Sequence, residues 1–171
     1  MGPPETLENY PFRTIVIANL VSIGIYLIGA FIIYQLGLVW LLIYLLYVLW
    51  LEIRLLKRSC TGCYYYGKYC AWGKGKISSL LFKKGTTNKF IGGKITWKDI
   101  IPDFLVTLIP LIVGIALLVM KFDWLILLLL AVLVLLTTAG NGFVRSKLAC
   151  RYCKQREIYC PAEQLFNKNK K

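Results

Sequence analysis

Hydrophobic positions fall into four long, uninterrupted runs. Short breaks and long basic stretches alternate between them. The first run extends from about Thr14 to Tyr34, and 21 residues at roughly 1.5 Å each reach about 31 Å, enough to cross a hydrocarbon core. Gln35 and Gly37 interrupt the pattern before a second run from Leu36 to Ile53. So short a break predicts an antiparallel hairpin. The third run covers Ile100 to Met120, Lys121, Phe122 and Asp123 form a second tight turn, and the fourth covers Trp124 to Thr138. Asp99 is expected to cap the third helix, with Asp103 favoured by the positive helix start. Trp40, Tyr44, Tyr47 and Trp50 are expected as interface anchors, and Pro110 and Gly114 as the site of a kink. The expected fold class is all-α: a polytopic membrane protein with four transmembrane helices in two tandem hairpin repeats. Its segments are a lead at 1–13, hairpin 1 at 14–53, a basic loop at 54–98, hairpin 2 at 99–140 and a basic tail at 141–171.

Composition agrees. Hydrophobic residues make up 58% of the chain, above the roughly 45–50% of soluble domains, and the excess sits in the four runs. Lys and Arg number 21 against 8 acids, a net charge of +13. The loop holds 11 cations and no acid, and the tail holds 8, so 19 of the 21 lie in the loop and tail, which share one side of a four-span topology. The positive-inside rule then places both termini, the loop and the tail in the cytoplasm of a multi-pass cell-membrane protein. Glu5 and Glu8 stand where a cleaved signal would carry positive charge, so the first span is expected to be retained.

All six cysteines of the chain lie in two triplets, Cys60-x2-Cys63-x6-Cys70 and Cys150-x2-Cys153-x6-Cys160. Each member of the second follows its counterpart by 90 residues, and each triplet follows a hairpin. Gly24 and Gly114, and Lys57 and Lys147, obey the same offset. Two hairpins of like orientation are expected around a pseudo-two-fold axis along the membrane normal, which would bring both triplets together. Disulfides are disfavoured on a reducing side. With no histidine in the chain, metal binding must use thiolates, and a Cys-x2-Cys pair suits a tetrahedral ion. Two zincs need eight donor positions, which six thiolates supply if two of them bridge. The net −2 of such a core would be offset by Lys57, Arg58, Lys68, Lys147, Arg151, Lys154 and Arg156, which are also expected to lower the thiol pKa values.

The triplet spacing resembles that of the fungal binuclear zinc cluster, a DNA-binding family in which two pseudo-symmetric halves each contribute three cysteines. The resemblance covers about 22 residues, and here 79 residues and two spans separate the halves. It implies a two-zinc core with the first cysteine of each half, Cys60 and Cys150, bridging the metals. The alternatives are an iron–sulfur cluster on the same thiolates and thiol–disulfide exchange with Cys70 and Cys160 as resolving thiols.

Further along, Ile77, Leu80 and Leu81 form a helical stripe among lysines, suited to anionic lipid headgroups. Tyrosines crowd the first triplet, where they shield a metal site or sit at headgroup level; nucleic acid is disfavoured as a partner. Gly67, Gly73 and Gly75 are expected to permit turns around the ligands. Glu52 and Asp103 lie at span ends, and the missing histidine and missing carboxylate pairs argue against hydrolase or transferase chemistry. The reading is a membrane scaffold or adaptor, pinned by a six-cysteine metal cluster and presenting a basic surface to anionic lipid, a protein partner or a second copy. A redox protein and a transporter or channel subunit are the competing classes.

Overall fold

The computed structural model describes residues 6–85, 97–158 and 160, without the side chains of 97–100. Lys89, Gly92, Gly93, Lys94, Tyr159 and the tail after Cys160 therefore lie outside the described residues. The described residues are 77% helical with no strand among them, so the all-α expectation stands.

Helix α1 (Phe12–Tyr34) starts behind Pro11, whose fixed φ of −65° suits a helix entrance. It ends in a turn at Gly37, with φ at +118°, where a side chain would be strained. Helix α2 follows (Leu38–Leu55) and runs on as a widened π-turn over Leu56–Cys60. The short α3 (Lys74–Leu81) lies beyond the first cysteine triplet. Helix α4 covers Trp97–Met120, so Asp99 lies inside its first turn and not at its cap. Asp123 caps α5 (Trp124–Leu135) by accepting the Leu125 N–H at 2.8 Å.

The helices of the second and fourth spans run on past the expected span ends. Both helices continue in helical form to the first cysteine of their triplet, through Leu56–Cys60 in one case and Leu136–Ala149 in the other. Beyond α5 the path widens where Thr137 and Thr138 donate their hydroxyls back to the carbonyls of Leu133 and Val134. Such back-bonding satisfies carbonyls that a π-turn leaves poorly paired. Each first cysteine is thereby carried on the end of a membrane helix.

Helices α1 and α4 pair at the centre, and each packs against its own hairpin partner, α2 or α5. Across the halves α1 also meets α5, and α4 meets α2. This pattern is unchanged when the halves are exchanged. Ile25, Ile32, Ile126, Leu130 and Leu133 form one buried cluster, and Ile33, Tyr44, Leu51 and Val106 another. Most apolar side chains point outward instead: only 17–22% of each apolar run is buried. Such a surface needs an apolar solvent, and all four helices are long and apolar enough to cross a membrane.

Tyr44 is another correction, because it is no interface anchor. It is 4% exposed, and its hydroxyl donates to the Val106 carbonyl at 3.1 Å. Pro110 explains the bond: it lacks the N–H that would pair with Val106 four residues back. Gly29 makes room, since a Cβ there would stand 2.3 Å from the Tyr44 hydroxyl. Tyr47 likewise donates to the Pro102 carbonyl at 2.9 Å. Trp40 and Trp50 remain half exposed.

Candidate metal centre

The two cysteine motifs meet in a cap at one end of the bundle, where they share a buried cluster with Tyr10, Tyr65, Ala71 and Ala149. The first motif opens with a turn in which the Cys63 N–H donates to the Cys60 carbonyl at 3.4 Å, followed by Tyr66 N–H to the Cys63 carbonyl at 3.0 Å. The second repeats both bonds 90 residues later, Cys153 N–H to Cys150 O at 3.4 Å and Arg156 N–H to Cys153 O at 3.1 Å. The sulfurs follow suit. Cys63 Sγ accepts from the N–H of Tyr65, and Cys153 Sγ from that of Gln155. Cys70 Sγ accepts from the Gly75 N–H at 3.4 Å. Backbone N–H groups aimed at sulfur favour a thiolate.

Three glycines give the first motif its path. Gly67 and Gly73 have φ of +79° and +69°, as expected of turn glycines. Gly75 is held by proximity: a Cβ would stand 2.1 Å from the Tyr65 carbonyl oxygen and 2.7 Å from that of Lys68. The motif is bolted to the bundle by Asn19, whose amide donates to the Trp72 carbonyl at 3.2 Å. The Lys74–Glu52 ion pair at 2.7 Å adds a second bolt. Tyr26 completes this joint by donating to Glu52 at 2.7 Å.

Cys60, Cys63, Cys70, Cys153 and Cys160 are half-buried and Cys150 is exposed, all as free thiols. Within the first motif Cys60 lies close enough to Cys63 and Cys70 to interact electrostatically. Between motifs the neighbours are Cys63 with Cys160 and Cys153 with Cys63. Among the described residues, no three ligand-type side chains converge closely enough to hold a metal ion. The expected lowering of thiol pKa values by the basic surroundings is not found. Burial pushes Cys63 up, and it pushes Cys153 up to about 11 despite the Gln155 N–H. Desolvation by burial is the largest influence on both thiols. Lys68 and Lys154 flank the Tyr64 ring, 4.5 and 5.5 Å from its centroid.

What the sequence did not reveal is the segment Leu7–Tyr10, expected only as a polar lead. It is a strap threaded between the motifs. The Leu7 N–H donates to the Tyr152 carbonyl at 3.0 Å, and the Tyr10 N–H to that of Tyr69 at 2.9 Å. The Tyr69 N–H donates to Asn9 Oδ1 at 3.1 Å. The Tyr10 hydroxyl donates to the Ala149 carbonyl at 2.5 Å, and burial pushes the Tyr10 pKa well above the usual tyrosine range. Tyr65 is the hub: its hydroxyl donates to the Leu7 carbonyl at 2.6 Å and accepts the Lys154 N–H at 3.0 Å. Gln155 adds a direct link, its side-chain oxygen accepting the Tyr64 N–H at 2.7 Å. Glu8 bonds to Lys154, which holds its carboxyl below the ordinary range with help from Lys68. A tyrosine-rich motif beside a polar lead is the only trace of this in the sequence, and period-based reading ignores it.

Fold and cap together define an all-helical membrane protein with a thiol-bearing cap. No family model matches the chain, and neither the curated proteins nor the solved structures offer a match.

Proposed function

We propose that the chain is a membrane scaffold whose cysteine cap is closed by metal, with two zincs shared among Cys60, Cys63, Cys70, Cys150, Cys153 and Cys160. The observation that carries this reading is the recurrence, at the 90-residue offset, of the same backbone turns and the same N–H···S bond in both motifs. The helix contacts, invariant to exchange of the halves, favour two tandem hairpin repeats about an axis along the membrane normal. The cation distribution favours a cytoplasmic cap. Loading requires the motifs to draw together, so that desolvated thiols become thiolates held by zinc. In that closed form Cys63 and Cys153 stand between the motifs, and they rival Cys60 and Cys150 for the bridging role. The cap then presents its basic surface to lipid or a protein partner.

The test is elemental analysis of purified protein, with its absorption spectrum. Two zincs per chain in a colourless protein are expected. Iron with broad absorption near about 400 nm points to an iron–sulfur redox protein. No metal under anaerobic, chelator-free purification would sink the cluster.

A further inference from the structure

We propose that α3 and the lysines beside it form a paddle that docks on anionic lipid headgroups of the membrane in which the chain sits. This names the partner for the basic surface, and it rests on the membrane part of the reading above, not on the metal.

The helix is built inside out. Its inward face carries small residues: Gly75, packed against the Tyr65 carbonyl, and Ser78, fully buried, whose hydroxyl donates to the Leu56 carbonyl at 3.2 Å. Its large apolar residues face away from the protein, with Ile77, Leu80 and Leu81 at 46%, 78% and 62% exposure. A helix bathed in water would place its small polar residues outward and its leucines inward. With eight residues it is too short to cross a bilayer. It is held at the end of α2 by the Lys74–Glu52 pair and by Ser78, beside the outward apolar surface of the spans. Its level is therefore that of the headgroups.

The charge matches that place. Lys76, Lys83 and Lys84 are exposed around the stripe, and no acid occurs from residue 54 to 98. The exit of the helix is fixed too, the Phe82 carbonyl accepting from the Tyr66 hydroxyl at 2.7 Å and the Gly85 N–H donating to the Thr61 carbonyl at 3.1 Å. Apolar side chains at acyl-chain level with ammonium groups around them are the arrangement that binds acidic headgroups. The fixed exit makes this a preformed site.

The experiment uses the full chain in nanodiscs of phosphatidylcholine alone and of phosphatidylcholine mixed with phosphatidylglycerol. Amide hydrogen exchange is read at residues 77–84, and zinc content is measured in parallel. Exchange is expected to be at least about tenfold slower in the anionic discs. The triple variant Lys76→Gln, Lys83→Gln, Lys84→Gln should abolish that difference, since three lysines near a charged surface carry roughly a hundredfold in preference. All three sites are exposed, so the fold tolerates the change. Equal exchange in both discs overturns the proposal and assigns the stripe to a protein partner or a second copy. Protection reproduced in detergent by inorganic phosphate also overturns it. Lipid-dependent protection in a protein without metal upholds the paddle and sinks the cluster, while metal without protection does the reverse.

Discussion

The two cysteine motifs share a backbone turn and its N–H···S bond and differ in the contacts that hold them to the bundle. The first is enclosed: Asn19, Glu52 and α3 tie it to the bundle, and Gly75 packs into its centre. The second hangs from the end of the α5 path, begins with the exposed Cys150, and is held by Tyr65, Gln155 and the strap. One motif is preorganised and the other docks onto it. The lesson is that two copies of a repeated motif can be held in place by different contacts.

The largest expected break in this comparison is loss of the proposed metal. Chelation should lower the unfolding midpoint by roughly 10 °C or more, since removing structural zinc withdraws several kcal/mol. Once metal is gone the motifs should part company. Cys63→Ser, at a half-buried site, is expected to destabilise the metal-free protein more than Cys150→Ser, yet both should abolish stoichiometric zinc in the loaded form. Equal effects of the two in metal-free melts would erase the distinction drawn here. Next comes Gly75→Ala, whose methyl meets unyielding backbone oxygens of the first motif. A loss of about 1–3 kcal/mol is expected from overpacking, read in the same melts.

Tyr65→Phe sharpens the comparison from the other side. It deletes the bonds to Leu7 and Lys154 and leaves the first motif seated. About 1–3 kcal/mol of local stability is lost where buried partners are left unpaired. Alkylation should then quicken at Cys153 and Cys160 while Cys63 and Cys70 keep their rates; uniform acceleration would mean that the cap opens as one body. Tyr44→Phe serves as the control in the bundle. It should cost about 1 kcal/mol, typical of membrane hydrogen bonds, with no change in thiol reactivity. The smallest effect concerns Glu8, exposed and paired with Lys154. Its carboxyl is depressed, so the pair persists at neutral pH and is lost as pH falls through that depressed value. Lys154 is raised, so its contribution lasts until pH climbs past the usual lysine range. Amide protection of Leu7–Tyr10 should stay flat from about pH 5 to about pH 9 and weaken below about pH 4.

The spans were legible because bilayer thickness imposes length and polarity on a helix whatever its neighbours. The turns at Gly67 and Gly73 and at Lys121–Asp123 were legible from local residue types, whereas a cap was expected at Asp99 and one is found at Asp123. Tyr44 was misread because tyrosine at an interface and tyrosine facing a proline-freed carbonyl look alike until α4 is placed beside α2. The helix extensions to Cys60 and Cys150 were missed because polarity was taken to end the helix, when only the lipid ends there. The thiol shifts failed because counting charges in sequence ignores burial. The strap was invisible because backbone bonds to distant carbonyls leave no periodic mark.

That strap also fixes an order of assembly. Tyr10 leaves the ribosome early, but its acceptor Ala149 lies 139 positions further on. Until then the Tyr10 hydroxyl lacks its acceptor, although the first motif already has its ties to Asn19, Glu52 and α3. Closure of the cap therefore waits for the second motif, and a chain stalled in its fourth helix would hold the thiols of the first motif without their partner motif.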